Sequence, residues 1–167
     1  MNSWVRQNYS THAEDDAVNH LINKYLRASY TYLSMSYYFT PEKGALEPVG
    51  RYFRQLSKEK YEGAWKLMSM QTDRGHHLVF HKIQKPSQDL WGTVLEGMEA
   101  ALTLEKKLNQ ALLELHALGR ATKTPHLCSF LRPLLNEEVK LMQEIGDWLT
   151  ILRRLGGLLG GVSQVFP

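Results

Sequence analysis

Between Gly75 and about Gly92 the chain carries no helical period, although long helical patterns flank it on both sides. That contrast constrains the fold more than any other feature. Two amphipathic stretches precede the gap. The first presents Val18, Leu21, Ile22, Tyr25, Ser29, Tyr32, Leu33 and Phe39 and stops at Thr40-Pro41. A short turn through Gly44 leads to the second, with Val49, Phe53, Leu56, Leu67 and Met70, ending at Arg74 with Gly75 as its C-terminal stop. Two more follow. Leu95, Met98, Leu102, Glu105, Leu108, Leu112 and Leu115 form a third seam ending near Gly119. Thr124 and Pro125 open the fourth, which carries Leu127, Leu131, Leu134, Glu138, Leu141, Ile145, Trp148, Leu152 and Leu155 before Gly156-Gly157. A helix of the second one's length spans roughly 40 Å. The gap, stretched at about 3.3 Å per residue, covers that distance. The spacing therefore predicts an all-α four-helix bundle with one long crossover between the second and third helices.

Residues 1–157 are expected to form this bundle and 158–167 a short glycine-rich tail. Met1 to Ser10 reads as an extended arm, and Thr11 with Glu14 fits a capping box at the start of the first helix. A chain of 167 residues suits one domain with a sizeable core. No apolar run follows Met1, which predicts neither a signal peptide nor a membrane partner. Cys128 is the only cysteine, so no internal disulfide can form and the expected location is cytoplasmic. The net charge of +3 is spread among alternating acids and bases, without the basic stripe and interleaved aromatics that nucleic acid would require. The seven histidines lack zinc spacing.

The second seam breaks its own pattern. Between Leu56 and Leu67 the two core positions hold Lys60 and Gly63, with Glu59 on the shoulder. Such breaks mark functional sites or their remnants. Each of the other seams also carries one anomaly near its midpoint: Tyr25, Glu105 and Glu138. Midpoints of antiparallel helices meet in one layer, with Tyr32 within a turn of it. Di-iron bundles build their metal site at that level. A buried ion pair of Lys60 with Glu105 or Glu138 is the stronger reading here, because an ammonium cannot ligate iron and repels Fe²⁺.

The strings Arg6-Gln7-Asn8-Tyr9-Ser10, Ala28 to Ser34, Lys85-Pro86-Ser87-Gln88-Asp89, Leu104 to Leu113, Pro125-His126-Leu127-Cys128 and Glu137-Glu138-Val139-Lys140 are similar to those of animal ferritins. The likeness to the light chain extends to about Gly157, while Met35-Ser36-Tyr37-Tyr38-Phe39 leans toward the heavy chain. The resemblance implies a ferritin-like bundle and a catalytic centre reduced to Tyr32, Glu59 and Glu105. Carboxylates are absent at Tyr25 and Lys60, and a histidine is absent at Gly63. No catalytic residue and no cofactor-binding residue is therefore expected, and the chain is not expected to be an enzyme.

What the resemblance implies instead is a light-chain-like subunit for intracellular iron storage, holding ferric iron as mineral. Glu59, Glu62 and Glu105 are the candidate metal ligands. The family's acidic patch is thinned here, with Gln55, Lys58 and Trp65 at three of its positions. The implied partners are ferritin subunits, a heavy chain among them, and iron. Ser129 and Arg132 stand where the family's threefold channel has acids, Pro133 predicts a kink, and the tail replaces the family's fifth helix. These departures keep a second reading open: a divergent bundle that no longer mineralises iron and acts as an interaction or modulating subunit.

Overall fold

The computed structural model of the chain describes residues 3–40 and 46–156, with side chains from residue 13 onward. Four helices follow one another: α1 (Ser3–Tyr38), α2 (Glu47–Asp73), α3 (Val94–Ala121) and α4 (Pro125–Gly156). No strand occurs among the described residues. α1 packs along α2, α3 along α4, and α1 joins the two pairs through α3. The turn at Gly44 and the tail 158–167 lie outside the described residues.

The segment 74–93 is the expected crossover, and its hydrogen bonds show the path. Asp15 meets His76, Asn19 Oδ1 accepts from Val79 N, and Asn23 Nδ2 donates to the carbonyl oxygens of His81 and Lys82. Ser34 Oγ then accepts from Trp91 Nε1, and Tyr38 from the backbone N–H of Gly92. Partners on α1 advance in step with the strap, which therefore climbs about 35 Å of helix at 1.5 Å per residue. His20 and His81 stack along this line, rings 4.9 Å apart.

Several boundaries follow from local chemistry. Gly75 leaves α2 with φ +76, a left-handed conformation that glycine adopts without strain. Thr93 caps α3 by accepting from Glu96 N at 3.2 Å, a Thr-x-x-Glu start that the sequence reading passed over. α4 begins directly after Thr124, as expected, and runs unbroken through Pro133 to Gly156. The kink expected at Pro133 therefore does not interrupt the helix; the proline sits on its exposed face.

Several local expectations are corrected. Residues 3–10 are helical rather than an extended arm, and Thr11 is interior to α1 rather than its cap. No glycine or proline lies between Ser3 and Tyr38 to stop the helix from propagating. Glu14 serves a different purpose, described below. On α3 the seam runs one residue earlier at its start: Val94 and Ala101 are buried, whereas Leu95 and Leu102 are half-buried. On α4, Leu149 takes the buried place expected for Trp148.

The core is split. One apolar cluster gathers around Phe39, Phe53, Met98 and Ile145, and the other around Leu21, Leu67, Leu112 and Leu131. Lys60, Glu105 and Glu138 belong to neither cluster and lie buried between them, at the midpoints the seams indicated.

Candidate functional site

All four helices contribute to the layer between the two cores. Ser29 and Ser57 set the approach of α1 and α2: each hydroxyl donates to the other's carbonyl oxygen, at 2.9 and 2.7 Å. One turn beyond Ser57, Lys60 is carried inward and is only 4% exposed. Its Nζ donates to Glu105 Oε2 at 2.6 Å and to Glu138 Oε1 at 2.5 Å. The other oxygen of Glu105 accepts from Tyr32 at 2.5 Å. The ammonium also sits 5.6 Å from the centre of the Tyr25 ring.

Two buried carboxylates with one ammonium would leave an excess negative charge in the core. Burial, followed by the hydrogen bond and charge of Glu105, pushes Glu138 up to about 9, although Lys60 pulls the other way. The protonated form of Glu138 is therefore favoured at neutral pH, which relieves that excess. Its second oxygen, Oε2, has no hydrogen-bond partner among the described residues. An orphaned oxygen is less costly on a neutral acid than on a carboxylate. Burial works against the charge of Lys60, yet Glu105 and Glu138 together raise its affinity for the proton. The Tyr25 and Tyr32 phenols are both held well above their usual value, by burial first and then by the nearby glutamates.

Gly63 is explained by packing. A Cβ built there would come 2.5 Å from Cε1 of Tyr25, so the ring occupies the space a larger side chain would need. Tyr25 and Gly63 form one complementary pair, and neither offers a carboxylate or imidazole to the layer.

Of the expected metal ligands, Glu105 is fully buried with both oxygens engaged, whereas Glu59 and Glu62 are exposed. Those two line a cleft of about 340 Å³ between α2 and α4, above Lys60 and Glu138. Glu137 and Glu144 line its opposite wall. Glu144 is pushed upward by partial burial and then by the charge of Glu59. The sequence reading missed Glu137 and Glu144 in this role. Their seven-residue spacing puts them on one face beside the α4 seam, which is the signal that could have found them. Among the described residues no group of three or more histidine, cysteine or acidic side chains is arranged to hold a metal ion.

A second buried polar group was also missed. Glu14, 3% exposed on α1, accepts from Thr124 at 2.6 Å and from Thr122, and pairs with Arg74 at 3.1 Å. Burial opposes its charge, but the hydrogen bonds from Thr122, Thr124 and Arg74 outweigh it and hold the carboxyl below its ordinary value. It ties the end of α2 and the α3–α4 turn to α1.

Known proteins place this architecture. A family model described as a ferritin-like domain matches residues 15–155. The chain is 59% identical over 158 residues to the ferritin light chain of Felis catus, covering 94% of this chain and 90% of that protein. It is 57% identical to ferritin light chain 1 of Rattus norvegicus, over 94% of this chain and 86% of the relative. Against the ferritin light chain of Bos taurus it is 54% identical over 165 residues, 98% and 94% of the two chains. With a single bundle, one crossover along α1 and a match that spans nearly the whole chain, this protein belongs to the ferritin family.

Proposed function

We propose that the chain is a light-chain-like ferritin subunit for intracellular iron storage, binding ferric iron and supporting its mineral without a ferroxidase centre. The observation that carries this reading is the Lys60 ammonium seated between Glu105 and Glu138. It offers no lone pair to a metal, and at 2.6 Å from Glu105 its charge opposes Fe²⁺ at the same place. Tyr25 and Gly63 add no ligand. The chain is thus not an enzyme in this reading, and oxidation falls to a heavy-chain partner within a mixed oligomer in the cytoplasm. Residues 1–157 act as the bundle unit and 158–167 as a tail.

Iron is cargo here. It would meet Glu59 and Glu62 in the α2–α4 cleft, with Glu137 and Glu144 facing them. Glu105 becomes a ligand only if Lys60 and Tyr32 release it. A second reading, an interaction or modulating subunit that no longer mineralises, is favoured by Tyr61 and Trp65. They are 50% and 55% exposed on the same helix as Glu62 and give that face an aromatic surface.

The test is co-assembly with a heavy-chain ferritin, with sedimentation and iron content measured per assembled particle. Particles containing this chain should keep an iron core, and Glu59→Gln with Glu62→Gln should slow its growth. Unchanged growth in that double variant would remove the two glutamates from the proposal. Particles that lose iron in proportion to this chain's content would establish the modulating subunit instead.

A further inference from the structure

On the side of the bundle away from the α2–α4 cleft, α1 and α3 leave a groove of about 510 Å³ between them. The two helices run antiparallel: Tyr32 meets Glu105, and Glu14 meets Thr122 just past the end of α3. Two of the α3 side chains in the lining are Ala100 and Ala111, too short to fill the space against α1. The α3 lining extends from Ala100 to Glu114, roughly 20 Å of helix at 1.5 Å per residue. The strap contributes Trp91, which is buried, with its indole N–H already given to Ser34. Trp91 therefore offers the groove only its apolar body.

The lining divides by character. Trp91, Leu104, Leu108 and Ala111 supply an apolar floor. Lys24 and Arg27 from α1 and Lys107 from α3 stand around it. None of these three cations takes part in the ion pairs found among the described residues. The one acid in the lining, Glu114, accepts from Gln110 at 3.0 Å. A lone surface lysine commonly lays its stem on apolar neighbours and keeps its charge in water. Three cations from two helices around one concave apolar floor do more, because they raise the local concentration of an anion.

We infer that this groove binds an amphipathic organic anion, a carboxylate carried on an apolar body. The antiparallel register sets Lys24 and Arg27 toward the Glu114 half of the groove, with Lys107 within a turn of them, and Trp91 and Ala100 toward the other end. The carboxylate is met by the Arg27 fork and the two lysine point charges. The apolar body lies along the floor toward Trp91. A neutral hydrocarbon would leave the cations unmet, and an inorganic anion would leave the floor in water. The volume is that of a small-molecule site, mostly apolar with a few placed polar groups. The inference is independent of iron storage, since it uses no residue of the Lys60 layer, the α2–α4 cleft or the α3–α4 turn.

The test is isothermal titration calorimetry of the full chain with decanoate and with naphthoate, below the concentration at which decanoate forms micelles. Saturable binding at one site per chain is expected. Tighter binding of decanoate assigns the groove to an extended chain, and equal or tighter binding of naphthoate assigns it to a compact ring. Decanol, which has the same tail without the charge, should bind roughly tenfold more weakly, as should decanoate to Arg27→Gln or Lys107→Gln. Ala111→Phe fills the floor and should abolish binding, whereas the two charge variants probe the same groove without touching its packing. Tyr30→Ala, exposed on α1 but outside the groove, should change little. Equal affinity for decanol and decanoate, no saturable binding of either carboxylate, or a loss in Tyr30→Ala matching that in Arg27→Gln would overturn the proposal.

Discussion

Removing Lys60 should be among the most damaging single changes in this protein, and the structure says why. Its ammonium is buried and holds Glu105 and Glu138 at 2.6 and 2.5 Å. Lys60→Ala leaves the Glu105 carboxylate in the core with only the Tyr32 hydroxyl as a donor. Breaking a buried pair in this way costs about 3–5 kcal/mol. In urea, with an m value of about 2 kcal/mol/M, the midpoint should fall by roughly 2 M. Glu105→Leu should cost less, because Glu138 can give up its proton and pair with Lys60 alone. The double change Lys60→Leu with Glu105→Leu removes both charges. It strands the Tyr32 hydroxyl and the buried Glu138 carboxyl, at about 1–3 kcal/mol each. The double variant should therefore be more stable than the sum of the singles implies, by several kcal/mol in a double-mutant cycle. A strictly additive cycle would refute the claim that the two side chains are partners.

Three further outcomes are expected. Glu138 is raised from 4.5 to about 9 on folding, so the folded state binds one more proton than the unfolded state between those values. Its contribution is complete below the unfolded value and is lost as pH rises through the folded one, by at most about 1.4 kcal/mol per pH unit; Glu138→Gln should flatten this decline in urea melts from pH 5.5 to 8.5, and an unaltered slope would contradict it. Gly63→His drives its Cβ into Tyr25, so it should destabilise the chain, and Lys60→Glu with Gly63→His should yield no fast Fe²⁺ oxidation in stopped-flow absorbance unless Tyr25→Glu is added; a transient at heavy-chain level in the two-residue variant would defeat this reasoning. Glu14→Ala removes the acceptor shared by Thr122, Thr124 and Arg74 and should lower stability by about 2 kcal/mol, whereas a thermal melt within a degree of the parent would show that this end of the bundle does not depend on it.

The periodicity of the chain alone determined four helices, their order and the single crossover, because amphipathic helices announce themselves at three- and four-residue steps and the gap at Gly75–Gly92 breaks the step. It also singled out Tyr25, Lys60, Gly63, Glu105 and Glu138, since residues that violate a core stripe are visible without coordinates. Only the tertiary structure decided how those residues share their charges. That Lys60 bonds both glutamates, that Glu138 favours its protonated form, and that the Tyr25 ring excludes a side chain at Gly63 depend on distances between helices far apart in sequence. The same holds for Glu14, whose local pattern reads as a cap but whose partners lie on the α2 end and the α3–α4 turn. Local pattern is fixed by neighbours along the chain, whereas the pairing and protonation of a buried charge are fixed by whatever the fold brings against it.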